Sequence, residues 1–160
     1  AERTYDLLEQ VAGRAGRGEE PGQVIVQTYW ATHPAIRAVQ KHDRALFVEQ
    51  ELEERRDGCY PPFSRLSNVV CWGRREADVR RTLDEVAGRV RERVGEAEGW
   101  ELLGPTDCLK AKVKDRVRRH LLVKSPVDSK PGPLLDACVR AAAPPRGVSI
   151  AVDVDAYDMM

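Results

Sequence analysis

The sequence predicts an α+β fold in which an antiparallel sheet carries two helices on one face. The main observation is the order of patterns from residue 64 onward, which reads β-α-β-β-α-β, the split βαβ or ferredoxin-like arrangement. The second is composition: the 160 residues are 42% hydrophobic and 32% charged, enough to bury one core beneath a charged surface. We therefore expect one domain of typical size, preceded by a smaller segment.

The first 58 residues predict helices around a single strand. Residues 3–15 have the spacing of a short helix, and VIVQTY (24–29) is rich in β-branched residues, as strands are. A helix is predicted from about Pro34, and a longer acidic helix over residues 44–56. DGCYPPF (57–63) stops any helix, so we place a domain boundary there, between 1–58 and 59–160. The two parts differ in net charge, −3 against +3.

The remaining elements supply the β-α-β-β-α-β order. Strands are predicted over 64–73, 116–123 and 147–156, and a short helix over 133–142. Residues 100–105 begin another strand, and residues 108–113 either continue it or form their own. The helix over 75–94 is the clearest element, because its apolar residues recur at steps of three and four. These residues are Val79, Leu83, Val86, Val90 and Val94.

Several classes of protein are disfavoured by the same sequence. No apolar run approaches the roughly 18 residues that a membrane helix needs, and the first residues lack a signal-peptide pattern, so we expect a cytoplasmic protein without membrane contact. The four cysteines lie far apart with no C-x-x-C pair, which predicts plain thiols and no metal site in this chain.

QVAGRAGRG, at residues 10–18, is the first candidate site. Arg14 and Arg17 are three residues apart, on one side of a helical turn, and guanidinium groups neutralise the charge of a transferred phosphoryl group well. Gly13 and Gly16 would let a nucleotide come close, and Gln10 is placed to donate to a phosphate oxygen or hold the attacking water. The alternative is a helix end with solvated arginines.

The predicted hairpin at 107–124 is the second candidate site. Apart from Arg119 its basic residues fall on even positions, and most of its apolar residues fall on odd ones, so we expect one apolar face and one positively charged face that suits a DNA backbone. The alternative is a solvated sheet face whose lysines discourage edge pairing. The candidate DNA-binding residues are Lys110, Lys112, Lys114, Arg116 and Arg118.

The chain resembles a known family along essentially its whole length. Gln10-x-x-Gly13-Arg14-x-x-Arg17 is similar to the last conserved motif of superfamily-2 helicases. EQELEERRDGCYPPFSRL and GVSIAVDVDA, in this order, resemble the C-terminal part of the bacterial primosomal replication-restart helicases. The resemblance implies that residues 1–58 are the remnant of a RecA-like helicase lobe, with a helix, a strand and linker helices, and that residues 59–160 form an S10-like domain. It also implies that Gln10, Arg14 and Arg17 face the nucleotide, with Gly13 and Gly16 close to it.

The function implied by the resemblance is that of a 3′ to 5′ DNA helicase that recognises abandoned replication forks and restarts replication. Its cofactors would be ATP and Mg²⁺ in the full-length enzyme, with zinc in a cysteine-rich insert that is absent from this chain. Its partners would be forked and single-stranded DNA, single-strand-binding protein and primosome proteins. The chain has no P-loop and no acidic box for Mg²⁺, so we expect an inactive fragment.

Two alternatives to the helicase fragment remain open. In the first, the S10-like domain is a protein-interaction module that docks single-strand-binding protein or primosome partners without direct DNA readout. In the second, the chain is a free-standing ribosomal-type RNA binder, which leaves residues 1–30 unexplained.

Overall fold

The computed structural model describes residues 1–15 and 23–156. It consists of two compact units, Ala1–Gly58 and Cys59–Met160. None of the helices in the described residues is long and apolar enough to span a bilayer. Two residues of the candidate nucleotide motif, Gly16 and Arg17, lie outside the described residues.

The first unit contains three helices, α1 (Glu2–Ala15), α2 (Pro34–Lys41) and α3 (Arg44–Asp57). Side chains cap the last two of these helices. His33 Nδ1 accepts a hydrogen bond from the Ala35 amide at 3.2 Å, and Asp43 Oδ1 accepts one from the Leu46 amide at 2.9 Å. Each cap satisfies a backbone donor that has no partner within its own helix.

A small aromatic core joins the three helices of this unit. The rings of Tyr5 on α1 and Phe47 on α3 are stacked, with centroids 4.4 Å apart and an interplanar angle of 7°. Ala35 and Ala38, on α2, are fully buried in the same cluster. The small alanine side chains let the helix backbones approach the two rings closely.

The strand predicted over residues 24–29 is absent from the structure, so that prediction is wrong. Residues 23–28 have no regular structure, and the side chains of Val24, Ile25 and Val26 are 38%, 84% and 43% exposed. A strand requires hydrogen-bonded neighbours, and the described residues offer none to this segment. β-branched composition alone therefore did not suffice to form a strand.

The second unit has the predicted β-α-β-β-α-β order. Its four strands form one antiparallel sheet in the order β2-β3-β1-β4. The α+β class is thereby confirmed, and residues 100–113 prove to be largely a single long strand. The elements are β1 (Arg65–Gly73), α4 (Glu76–Val94), β2 (Glu101–Val113), β3 (Arg116–Ser125), α5 (Pro131–Ala141) and β4 (Val148–Val154).

The main core lies between one face of this sheet and the two helices α4 and α5. Val69 at the centre of β1 is paired with Leu121 on β3 and with Val152 on β4, which places these three side chains on the core face. The apolar stripe of α4 packs against them, and Leu83 is fully buried. The opposite, even-numbered positions of β1 and β3 lie on the second face of the sheet.

Candidate nucleic-acid interface

The hairpin between β2 and β3 closes with a two-residue turn. Lys114 and Asp115 occupy this turn with φ angles of 48° and 60°, the combination of a type I′ turn. Val113 therefore pairs with Arg116, and Lys112 with Val117. Because directly paired residues share a face, the even positions of β2 near the turn lie on the face of the odd positions of β3.

This pairing corrects one prediction. The side chains of Lys110, Lys112, Lys114, Arg116 and Arg118 do not form a ridge on a single face. Lys112 shares a face with Val117, whereas Arg116 and Arg118 occupy the other face. The predicted apolar face is also incomplete, since Leu109 is 83% exposed. The sequence argument assumed that even positions stay on the same face before and after the turn. A two-residue turn instead places the even positions of β2 on the face of the odd positions of β3.

Arg116 and Arg118 meet an aromatic residue and further arginines at one end of the sheet. Arg118 is paired with Trp72 of β1, so both lie on the face without helices. Trp72, Val113 and the basic residues around them line a groove of about 550 Å³. The basic residues of this groove are Arg74, Lys114, Arg116 and Arg118.

A second groove of about 330 Å³ adjoins the first. Arg74 and Arg116 line both grooves, and Arg75, Arg146 and Ser149 line the second one. We use "sheet-end surface" for the two grooves together. Its basic and aromatic members are Trp72, Arg74, Arg75, Lys114, Arg116, Arg118 and Arg146.

The sheet-end surface has an excess of positive charge that acidic neighbours do not cancel. Asp78 also lines the second groove, but its carboxylate lies 2.6 Å from Arg75 Nε and 3.4 Å from Arg81 Nη2. Within residues 1–15 and 23–156, no salt bridge is formed by five of its cations. These are Arg74, Lys114, Arg116, Arg118 and Arg146.

Neighbouring charged residues of the hairpin are already paired. Arg119 Nε lies 3.1 Å from Asp107 Oδ1, and Lys112 Nζ lies 3.9 Å from Asp115 Oδ1. Burial lowers the pKa of His120, and the positive charge of Arg118 lowers it further. Both effects disfavour the protonated imidazole, so the positive charge at this end of the face comes from its arginines and Lys114.

Sequence reasoning missed three arginines of this surface. Arg74 and Arg75 follow β1, and Arg146 precedes β4, so they are far from the hairpin in sequence. Their position next to the predicted strand ends was the sequence signal that could have identified them. Trp72 is half-buried and lines the first groove.

The candidate nucleotide motif lies partly on the last turns of α1. Gln10 and Arg14 are exposed one turn apart, on the same side of the helix. Among the described residues, a Cβ atom added at Gly13 would meet no atom outside the neighbouring backbone of α1 within 4 Å. Their roles, and those of Gly16 and Arg17, stay predictions.

The strand order and the two covering helices define the second unit as a split βαβ domain of the α+β class. The family profile described as "Primosomal protein N C-terminal domain" matches residues 56–157. The chain belongs to the replication restart protein PriA family, which confirms the family resemblance.

Curated relatives agree with the family profile. The chain is 43% identical over 126 residues to the Replication restart protein PriA of Synechocystis sp., covering 79% of this chain and 15% of that protein. It is 33% identical over 163 residues to the protein of the same name from Bacillus subtilis, covering 100% and 20%. With the Treponema pallidum protein of that name the identity is 34% over 162 residues, covering 100% and 24%. The chain thus spans between 15% and 24% of the length of these relatives.

Proposed function

We propose that this chain acts in bacterial replication restart and that its second unit binds DNA through the sheet-end surface. The observation that carries the proposal is the convergence of five cations without acidic partners at one end of the sheet, among the described residues. The names of the curated relatives support the restart role.

Phosphate neutralisation is the chemistry that such a surface performs best. Each cation that contacts a phosphate releases a condensed counterion, so the affinity falls as salt rises, with a slope of about −0.7 per contact on single strands. Guanidinium groups add bidentate hydrogen bonds to phosphate oxygens. Five contacts would give a slope of about −3.5, or a loss of about 130-fold between about 50 and 200 mM salt.

The test measures fluorescence anisotropy of a labelled single strand and a labelled fork with the 160-residue chain. Arg74→Gln with Arg116→Gln removes the two residues common to both grooves, and we expect the slope to shrink to about −2.1. The matched control is Arg80→Gln with Arg89→Gln, which removes the same charge from the solvent-facing side of α4. There Arg80 pairs with Asp84 and Arg89 with Glu85. Equal slopes for both double variants would refute the assignment of the surface.

We further propose that residues 1–58 are the end of a RecA-like helicase lobe that binds ATP and Mg²⁺ in the full-length protein. Support comes from the segment around Ile25, which has no regular structure and whose apolar side chains are exposed without a sheet neighbour in the described part of the chain. Such a segment suits a strand whose neighbours belong to the rest of a lobe. Gln10, Arg14 and Arg17 would then face the nucleotide.

The helicase proposal is tested by Arg17→Ala in the full-length protein. An arginine finger contributes a factor of about 10³–10⁵ to phosphoryl transfer, so ATP turnover should collapse while DNA affinity stays within about twofold. Arg37→Ala is the control, since Arg37 is an exposed arginine on α2 and is not part of the motif sequence. Normal turnover in Arg17→Ala would remove the finger role and leave the DNA-binding proposal intact.

Docking of single-strand-binding protein or a primosome protein is a second candidate for the second unit. It is favoured by Leu109, which is 83% exposed beside Lys110, because an apolar residue next to a cation suits an acidic, apolar peptide. Salt-insensitive binding of such a partner, lost in Leu109→Ser, together with no measurable DNA affinity, would favour this candidate over the first.

A further inference from the structure

We propose that the sheet-end surface holds an unstacked nucleotide of single-stranded DNA, with the base against Trp72 and an adjacent phosphate in the neighbouring arginine groove. This inference rests on the proposed DNA binding and deepens it, because it names the form of the ligand. Phosphate contacts alone would accept duplex and single strand alike, whereas a base site selects the single strand.

The larger groove supplies the base site. Trp72 is flanked in register by Arg118 on β3 and by Ser149 on β4. The next residue of β4 on this face is Ala151, and both side chains are small and exposed. The volume of about 550 Å³ lies within the usual range of small-molecule sites. Trp72 is half-buried on β1, which pairs with a strand on each side, so its backbone is fixed before a base arrives.

The smaller groove supplies the phosphate site. Arg74 and Arg146 line it without an acidic partner in the described residues, and the exposed Ser149 provides a further polar residue. Asp78 is already held by Arg75 at 2.6 Å, so it does not oppose an anion as a free carboxylate would. Arg74 and Arg116 line both grooves, so a phosphate bound there lies next to a base in the larger groove.

Trp72 can distinguish single from double strands because stacking needs a free base face. In a duplex both faces of each internal base are covered by neighbours, whereas a single strand offers a base at modest cost. Stacking on an aromatic residue changes affinity by about 5- to 150-fold per base on truncation of that residue. The arginines then add a salt-dependent contribution that is common to both forms.

The experiment compares three probes on the 160-residue chain: a labelled oligothymidylate of about ten nucleotides, an abasic strand of equal length, and a duplex. Trp72→Leu should weaken oligothymidylate binding by about 5-fold or more while leaving the other two probes within about twofold. Trp72→Phe should restore most of the affinity. Trp30→Leu is the matched control, since Trp30 is 61% exposed in the first unit.

A second measurement avoids any dependence on how well Trp72→Leu folds. In a background with Trp30 and Trp100 replaced by phenylalanine, the emission of Trp72 should be quenched by oligothymidylate and not by the abasic strand. Equal quenching by both strands would overturn the stacking inference.

The outcomes separate this inference from the proposed function. Salt-dependent binding that Trp72→Leu leaves unchanged on all three probes would overturn the base site and leave DNA binding standing. An equal loss on all three would mean that Trp72 only supports the fold, which also overturns the base site. Absence of salt-dependent binding in the wild type would end both proposals, and tighter binding of oligouridylate than of oligothymidylate would assign the site to RNA instead.

Discussion

Replacing Arg116 by glutamine should weaken DNA binding, whereas the same change at Lys112 should not. Both residues are exposed and lie beside the same turn, but the pairing register puts them on opposite faces of the hairpin. Only Arg116 lines the sheet-end grooves. Each variant removes one positive charge, so the pair tests the face and not the total charge.

The expected magnitude follows from counterion release. One lost phosphate contact reduces the salt slope by about 0.7, which amounts to about fivefold in affinity at about 0.1 M salt. Removing the charge of Lys112 alters only the long-range electrostatic field, which is screened over about 10 Å at that salt. This change should reduce the DNA affinity by less than about twofold. Anisotropy with a labelled single strand measures both. A fivefold loss in both variants would refute the argument from register, and no loss in either would remove Arg116 from the interface.

Two predictions concern titratable groups of the second unit. Burial raises the pKa of the Cys71 thiol to about 11, whereas Cys59 is exposed, so a thiol reagent at pH 8 should modify Cys59 in the native chain and reach Cys71 only after denaturation. Rapid native labelling of Cys71 would contradict its burial. The hydrogen bond from Arg65 Nε to Asp155 Oδ1, 2.8 Å long, holds the pKa of that carboxyl below its ordinary value. The stabilisation from this ion pair is present above the ordinary carboxyl pKa of about 4 and is lost as the pH falls through the lowered value. Between about pH 5 and pH 2.5, the melting temperature of the wild type should therefore fall more steeply than that of Asp155→Asn. Parallel curves would show that the ion pair contributes nothing.

The sequence predicted those parts of the fold that depend on local periodicity. The apolar steps of the residue 75–94 helix include Val79, Leu83 and Val86, and all three are fully buried. A helix that packs one stripe on a sheet requires this spacing, whatever its neighbours are. The β-α-β-β-α-β order followed from the same reasoning applied to each segment in turn.

Features that depend on distant partners were predicted less well. The segment around Ile25 has strand composition, but whether it forms a strand is decided by hydrogen-bonded neighbours and not by its own residues. The hairpin faces depended on whether the turn has two residues or three, because one residue more or less exchanges the faces. The sequence identified the basic residues of the hairpin but did not specify which face of the hairpin each of them occupies.

The sheet-end surface itself follows from topology and from no single run of sequence. Because β3 and β4 are both antiparallel to β1, the end of β1 lies beside the beginning of the other two strands. Basic residues that follow β1, as Arg74 does, or precede β3 and β4, as Lys114 and Arg146 do, are therefore brought to one edge. A sequence scan for charge runs does not connect the hairpin with Arg74 and Arg146, since these residues lie about 30 to 40 positions away on either side of its turn. In a split βαβ domain, basic residues at these three strand ends should be considered together, and the charge variants at Arg74 and Arg116 test that rule directly.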